Sequence, residues 1–290
     1  MTTVDTELVV IGGGAAGLVC ALAAGRLGVR AQVLERTDQP GRKLAITGGR
    51  KGNFTHVASP REMAERFDCD RAWLVPLLRR FPYQRIVKLF KQLGVDHRVD
   101  EDGCVWPIRT DAGGLRDTLV GEVVRHGGVI RSGARVKHLV PGWTVLLEDG
   151  SEMRAGNVCV ATGGASYPRT GSTGDGLSLA SELGLATVPW FPALASLETK
   201  DDLSEMAGIT QPRVRMALVA GEDSQARTAE GHFIFAHRFV SGSSVLNLSG
   251  YAARALASRS ASGMPSRGLT RMWLARTSSG AENRSMWSRW

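Results

Sequence analysis

The stretch that decides the fold is "VVIGGGAAGLVCALAAGRLGVRAQVLER", residues 9–36. Apolar β-branched residues lead into a glycine run, an alanine- and leucine-rich segment follows, and a second short apolar run ends at Glu35. The pattern predicts a buried strand at residues 7–11, a helix at 15–27 and a second buried strand at 31–35. Because the crossover of such a β-turn-α-β unit is right-handed, its two strands are expected to lie in a parallel sheet.

The glycines of this stretch follow the spacing GxGxxG. Gly12 permits the tight turn out of the strand, Gly14 leaves room for a pyrophosphate beside the backbone, and Gly17 lets the helix pack closely on the sheet. Free N–H groups and the positive end of the helix dipole then face the phosphates. Glu35 lies 18 residues after Gly17, where a carboxylate accepts both ribose hydroxyls and repels a 2′-phosphate. The loop therefore predicts FAD or NAD rather than NADP.

The segment that follows the second strand favours FAD. It reads "GRKLAITGGRKGNFTH", residues 41–56, and is rich in glycine and cations where an NAD domain would have a plain helix. Such a loop can wrap a long cofactor and place Arg42, Lys43, Arg50 and Lys51 near phosphates or an anionic flavin. The alternative for this segment is an ordinary solvated basic loop.

The remaining pattern alternates helices and strands, as an α/β protein requires. Residues 60–94 show helical spacing of apolar residues, and Asp102-Gly103 predicts a hairpin turn. Asp175 is interpreted as the cap of a helix at 177–183. Further elements are expected as a helix at 115–125 and strands at 129–131, 136–140, 144–147, 157–161, 214–219, 232–235 and 245–248.

Composition and charge exclude several classes of protein. The formal net charge is +8, but residues 251–290 carry +6 of it through seven Arg and one Glu, so residues 1–250 are nearly neutral and predict no nucleic-acid surface. The four cysteines are scattered without a CxxC pair, which argues against a disulfide framework or a metal site and fits a reducing cytoplasm. No stretch has the charge and length of a signal peptide or membrane span.

Four motifs in order resemble one family. "VIGGGAAGL", "GRKLAITGG…NFT", "ATGGASYPRTGSTGDG" and "FAHRFVSGSSVLNLSG" together are similar to the BaiN-like, aminoacetone-oxidase-type FAD-dependent oxidoreductases, over about residues 5–250. The resemblance implies a Rossmann-like FAD-binding domain with a parallel sheet, interrupted by an inserted β-rich domain that is incomplete here. It implies electron transfer through a bound flavin to or from a small molecule, with NAD(P)H as a candidate electron donor. It identifies no catalytic residue.

The resemblance also implies positions for the cofactor. Gly12, Gly14 and Gly17 would hold the pyrophosphate, and Glu35 would hold the adenosine ribose. Val136 would contact the adenine. The flavin side would be lined by Arg42, Lys43, Thr47, Gly48 and Asn53; Thr162 and Gly163 would close over the cofactor, and Ala15, Ala16, Arg36 and Ala161 complete the expected contacts.

This chain departs from the family at two motifs. The family usually has glycine-glycine-arginine-cysteine-asparagine where this chain has Gly49-Arg50-Lys51-Gly52-Asn53, so chemistry that needs a cysteine there is in doubt. It commonly has leucine-serine-glycine-proline where this chain has Val240-Ser241-Gly242-Ser243.

Residues 251–290 differ in composition and in hydrophobic patterning from the residues that precede them. They hold eight Ser, seven Arg and three Trp, without sustained apolar periodicity or a strand pattern. We interpret them as an aberrant, disordered basic tail produced by a shifted reading frame; the rival interpretation is a basic tail for RNA or a membrane surface. The resemblance leads us to expect a returning segment of the FAD domain that this chain lacks, and hence weak flavin retention.

The sequence thus predicts three parts: a FAD-binding domain at 1–189, a partial β-rich domain at 190–250 and the tail at 251–290. The expected function is FAD-dependent oxidation or reduction of a small molecule in the cytoplasm, without a membrane partner. One alternative is a catalytically incompetent dinucleotide-binding fragment of such an enzyme. Another is a nucleic-acid binder that acts through the basic tail.

Overall fold

The computed structural model of the chain describes residues 4–67, 69–219, 226–261, 271–276 and 287–289. It divides into two compact units, Met1–Val188 and Pro189–Trp290. The boundary between the two units lies one residue before the predicted domain boundary, which follows residue 189. The identity of the second unit as an inserted domain stays a prediction.

The first unit is built on the predicted glycine-loop region. Strand β1 (Thr6–Ile11) pairs in parallel with β2 (Ala31–Leu34) on one side and with β9 (Glu152–Val160) on the other. Helix α1 (Ala15–Arg26) crosses between β1 and β2, as the sequence predicts. Val9 and Val10 of β1 are fully buried because both faces of the central strand are covered.

Strand β9 is shared between two kinds of pairing. Its second half, from Ala155 to Val160, lies parallel to β1, whereas its first half pairs antiparallel with β8 (Thr144–Leu147). The resulting six-stranded sheet has the order β6-β2-β1-β9-β8-β7, in which β6 is Val129–Arg131 and β7 is Val136–Val140.

Helices cover the sheet and the predicted hairpin lies beside them. Apolar residues at helical spacing in residues 60–94 produce three helices, and the hairpin becomes two strands of a small three-stranded antiparallel sheet. Between β2 and these elements, Leu44–Arg50 forms short 3-10 turns that are broken at Thr47, Gly48 and Gly49. The elements are α2 (Pro60–Glu65), α3 (Arg71–Arg80), α4 (Tyr83–Gln92), α5 (Ala112–Arg125), α6 (Asp175–Glu182), β3 (Thr55–His56), β4 (His97–Val99) and β5 (Cys104–Pro107).

The second unit contains helix α7 (Ser243–Ala261) and an antiparallel sheet. The strands of this sheet, in spatial order, are β10 (Leu197–Glu198), β13 (Phe239–Ser241), β12 (Arg227–Phe235), β11 (Thr210–Val219), β14 (Arg271–Arg276) and β15 (Trp287–Arg289). The sequence predicts a strand at residues 245–248, and this is wrong, because these residues lie in α7 (Ser243–Ala261). Val245, Leu248 and Ala252 follow helical spacing and are buried together against the sheet.

The segment 251–290 therefore differs from the expectation of a tail without strands. Helix α7 continues to Ala261, and β14 pairs antiparallel with β11 from Val214↔Arg276 to Val219↔Arg271. β14 thus supplies the hydrogen-bonding partner for one edge of β11. Hydrophobic periodicity does not indicate this strand, because the segment is rich in arginine and serine.

The four cysteines are free thiols, as expected. Cys20 on α1 lies beside Cys159 on β9, and burial together with that contact raises the pKa of Cys20 to about 11. Cys69 is exposed. At pH 8 we expect iodoacetamide to alkylate Cys69 well before Cys20, since the thiolate is the nucleophile. Mass spectrometry of the native and the denatured chain measures this, and equal rates in the native chain would contradict the packing of Cys20.

Candidate cofactor site

A cavity of about 640 Å³ opens at the carboxyl ends of β1 and β2, within the first unit. In parallel sheets, ligands bind beyond these strand ends. Fourteen of the sixteen residues predicted from the sequence line it: Gly12, Gly14, Ala15, Ala16, Glu35, Arg36, Arg42, Lys43, Thr47, Asn53, Val136, Ala161, Thr162 and Gly163.

The three glycines of the loop have different roles in the structure. Gly12 has φ +103°, and a Cβ there would lie 2.6 Å from the carbonyl oxygen of Ala161. A Cβ at Gly17 would lie 2.0 Å from the carbonyl oxygen of Gly12, so this position allows α1 to approach β1. A Cβ at Gly14 would meet no atom within 4 Å, so the backbone there borders open space.

Two predicted residues, Gly17 and Gly48, do not line the cavity. Both shape it through packing instead. Gly48 has φ +56°, and a Cβ there would lie 2.7 Å from the ring of Trp106 and 2.8 Å from the backbone nitrogen of Asn53. It sets the turn that carries Thr47 and Asn53 to the cavity wall.

The start of α1 supplies backbone donors. Gly14 is the N-cap residue and provides no side-chain acceptor, and the first intrahelical bond runs from the N–H of Leu18 to Gly14. The N–H groups of the first turn therefore have no partner within the helix. Together with the positive end of the dipole, they make this corner suitable for an anion such as a pyrophosphate.

Glu35 is 8% exposed and its carboxylate is held in place. Oε2 accepts from the N–H of Gly13 at 2.9 Å, and Oε1 accepts from the N–H and the hydroxyl of Thr37, each at 2.8 Å. Each carboxylate oxygen can accept two hydrogen bonds, so Oε2 retains acceptor capacity. The carboxylate is thus oriented beside the glycine loop with room for a hydroxyl donor.

Asp175 joins three segments at the wall of the cavity. Its Oδ2 accepts from Arg36 at 3.1 Å and from Arg135 at 3.2 Å, and its Oδ1 accepts from Thr173 at 2.5 Å. Burial raises the pKa of Asp175, but the hydrogen bond from Thr173 and the charges of Arg36 and Arg135 outweigh it and lower the pKa.

The predicted capping role of Asp175 is wrong. The N-cap residue of α6 is Gly174, and Asp175 is the first residue of the helix itself. The carboxylate still lies at the positive end of the helix dipole. Its arginine partners are Arg36, two residues after the end of β2, and Arg135, the residue before β7, which local sequence cannot indicate.

Replacing Asp175 with Asn should weaken this junction. We expect the free energy of unfolding at pH 7 to fall by about 1–2 kcal/mol, because two arginines lose a partly buried charged partner. Since folding lowers the pKa of Asp175, the stabilisation exists above the unfolded pKa and disappears as pH falls through the folded one. The wild-type advantage over Asp175→Asn should therefore shrink below about pH 4.

Denaturant titrations from pH 3 to 7 measure this advantage. Asp38→Asn is the matched control, because Asp38 pairs with Arg42 at 3.3 Å but is largely exposed. A control variant as unstable as Asp175→Asn would contradict the role of the junction.

Lys43 connects the basic loop to the segment after β9. Its Nζ donates to the carbonyl oxygen of Ser166 at 2.7 Å and to the hydroxyl of the same residue at 3.2 Å. Burial lowers the pKa of Lys43. The contact places a cation on the cavity wall beside Thr47 and Asn53.

The opposite end of the cavity is apolar and was not predicted from the sequence. Helical spacing at 83–92 marks a buried helix face but does not tell which site that face borders. The residues that line the cavity without having been predicted are Ile11, Val19, Leu34, Gly41, Leu44, Phe54, Phe81, Ile86, Leu89, Phe90, Leu119, Ala134, Arg135, Thr170, Gly171, Ser172, Asp175 and Leu179.

Metal and membrane features are not found in the part of the chain that the structure describes. No group of three or more His, Cys, Asp or Glu side chains there could hold a metal ion. None of the helices there is both long enough and apolar enough to cross a membrane.

Comparison with known proteins places the fold and the cavity in a family context. The family described as "HI0933-like protein Rossmann domain" matches residues 6–280, which extends past the last of the four motifs. A 3-dehydro-bile acid Δ(4,6)-reductase of Clostridium scindens is 31% identical over 85% of this chain and 60% of its own length. A ribosomal RNA dihydrouridine synthase of Haemophilus influenzae is 28% identical over 85% of this chain and 61% of its own.

The chain spans about three fifths of the length of these curated relatives. Among solved structures, a flavocytochrome c3 fumarate reductase shares 20% identity and a TM-score of 0.46, over 71% of this chain and 47% of its own; this similarity adds nothing to the assignment. The family match over residues 6–280 decides it. The chain belongs to the HI0933-like Rossmann family, the BaiN- and aminoacetone-oxidase-type flavoproteins that its motifs resemble.

Proposed function

We propose that the chain binds FAD in the 640 Å³ cavity and acts as an oxidoreductase on a small molecule. The observation that carries the proposal is the polarity of this cavity. One end has the free N–H groups of α1 and the Glu35 carboxylate, and the other end is apolar. In FAD, the pyrophosphate and the adenosine ribose match the first end, and the flat flavin ring system matches the second.

The residues present fit this cofactor. The open space beside Gly14 suits a pyrophosphate, Glu35 suits the ribose, and Val136 lies on the wall near Arg135 for the adenine. Lys43, Thr47 and Asn53 would border the ring system. When bound, a flavin supplies hydride and electron transfer. The chain's part is to bind and orient the cofactor and to keep water from its apolar end.

Flavin binding is measured by adding FAD to the purified chain and following absorbance near 450 nm and quenching of flavin fluorescence. We expect binding with one FAD per chain. Oxidation of NADH and NADPH by the loaded chain then tests NAD(P)H as donor. FAD binding without turnover favours the alternative of an incompetent dinucleotide-binding fragment, and no FAD binding contradicts both. A cytoplasmic location is part of the proposal.

A second candidate substrate is a nucleotide within RNA, and one observation favours it. Residues 60–94 carry a net charge of +4 by sequence, although residues 1–250 average near neutrality. The exposed Phe67, Trp73 and Phe81 lie among these cations. Such a surface suits single-stranded nucleic acid. The cations are all exposed, and none is in an ion pair within the described residues: Arg61, Arg66, Arg71, Arg79, Arg80, Arg85, Lys88 and Lys91.

RNA binding measured at several salt concentrations shows whether the cations of residues 60–94 or those of residues 251–290 bind the RNA. If the helical surface binds RNA, binding weakens in Arg79→Met/Arg80→Met and is unchanged in Arg267→Met/Arg284→Met, which removes two cations of residues 251–290. If binding weakens in the second variant alone, the tail interpretation holds. Absence of salt-sensitive binding to the full chain leaves the small molecule as the substrate.

A further inference from the structure

We propose that a second cavity in the first unit binds an anionic group, a phosphate or a carboxylate, of a small ligand. The cavity has a volume of about 350 Å³ and shares no lining residue with the cofactor cavity. We call it the Arg50 cavity. It is lined by Gly49, Arg50, Lys51, Arg98, Trp106, Pro107, Thr110 and Asp111.

Charge is the first argument. Three cations line the Arg50 cavity. Arg98 is paired with Asp100, and the Oδ1 of Asp111 accepts from the N–H of Gly114 as the cap of α5. Within the described residues, the side chains of Arg50 and Lys51 form no ion pair with any carboxylate. Two cations beside one carboxylate that caps a helix leave the cavity with an excess of positive charge.

Backbone conformation is the second argument. Gly48, Gly49 and Arg50 have φ of +56°, +63° and +71°, so three successive residues lie in the left-handed region. Glycine adopts this region readily, whereas a residue with a long side chain is strained there. Arg50 is the one member of this run that is strained. Strained residues cluster at functional sites, where the side chain is needed despite the cost.

The hydrogen-bonding character of the lining is the third argument. Arg50, Lys51 and Arg98 supply donors, whereas the carboxylate of Asp111 already accepts from the N–H of Gly114. The lining is therefore rich in donors and poor in free acceptors. Phosphate and carboxylate oxygens match such a lining.

The position of the Arg50 cavity suggests its use. Thr47 and Asn53 line the cofactor cavity, whereas Gly49, Arg50 and Lys51 between them line the second cavity. One loop therefore forms a wall of each. An anionic group held here would anchor a ligand on the far side of that loop, apart from the predicted pyrophosphate position at α1.

The test uses the full chain and inorganic phosphate, followed by broadening of the ³¹P resonance. Arg50→Met/Lys51→Met removes two cations from the cavity, and Lys137→Met/Arg154→Met removes two exposed cations from β7 and β9 as the control of equal charge. We expect the first variant to bind phosphate at least about tenfold more weakly and the second to bind as the wild type does.

A single substitution separates binding from folding. Arg50→Gly relieves the left-handed strain, so the chain should unfold at an equal or higher temperature while it loses phosphate affinity. Competition by acetate distinguishes a carboxylate ligand from a phosphate ligand. Equal phosphate affinity in both double variants, or no binding of either anion to the wild type, overturns the proposal. Since both double variants keep the glycine loop, the comparison stands whether or not FAD binds.

Discussion

Replacing Glu35 with Ala should weaken FAD binding by about tenfold or more. The carboxylate is the acceptor we assign to the adenosine ribose, and hydrogen bonds to a charged group contribute about 1.5–3 kcal/mol each. The same side chain holds the N–H groups of Gly13 and Thr37. Its loss should therefore also loosen the glycine loop before any cofactor binds. Titration with FAD, followed by flavin fluorescence, gives the affinity.

Thermal unfolding without FAD separates the two effects. Glu35→Gln keeps the shape of the side chain and one acceptor oxygen, so its affinity should lie between those of the wild type and Glu35→Ala. Glu7→Ala is the control, because Glu7 is exposed and contacts only Arg30 among its described charged partners. An unchanged FAD affinity in Glu35→Ala would show that the cofactor lies in another orientation.

The second large effect is expected from a pair of glycine substitutions in one helix turn. A Cβ at Gly17 would lie 2.0 Å from the carbonyl oxygen of Gly12, so Gly17→Ala forces α1 away from β1. Overpacking of this kind costs about 1–3 kcal/mol, and backbone cannot yield as a flexible side chain does. We expect a lower unfolding temperature without FAD, and with it the loss of FAD binding.

Gly14→Ala should do the opposite. Gly14 has φ −73°, which Ala adopts, and an added Cβ meets no protein atom within 4 Å. The unfolding temperature without FAD should therefore change little, while the methyl group occupies space that we assign to the pyrophosphate. Affinity for FAD should fall by about tenfold or more. If both variants unfold alike and bind FAD alike, the division of roles between the two glycines is wrong.

The polar end of the cavity could be predicted from the sequence because the residues that form it belong to one short segment of the chain. The approach of Gly17 to Gly12, the open side of Gly14 and the position of Glu35 all follow from one β-turn-α-β unit. In the structure, Gly12, Gly14 and Glu35 line the cavity; their contacts with a cofactor stay a prediction.

The apolar end could not be predicted, because it depends on which distant helices pack together. Periodicity shows that Ile86 and Phe90 share a helix face. It does not show which cavity that face borders, because this depends on tertiary packing. Asp175 was misassigned for the same reason, since its partners Arg36 and Arg135 are far away in sequence. The sequence predicts a strand at 245–248, where the structure has a helix, because short apolar runs fit a strand and a helix equally well.

The large sequence separation between β1 and β9 delays completion of the parallel sheet during biosynthesis. β1 emerges from the ribosome first, but its second parallel neighbour, Ala155–Val160, follows about 145 residues later. At a synthesis rate of roughly 5–20 residues per second, the edge of β1 that pairs with β9 stays unpaired for roughly seven to thirty seconds. Such long-range closure is slow and leaves strand edges open to aggregation. Nascent chains arrested before residue 155 should therefore depend on chaperones far more than chains arrested after residue 190.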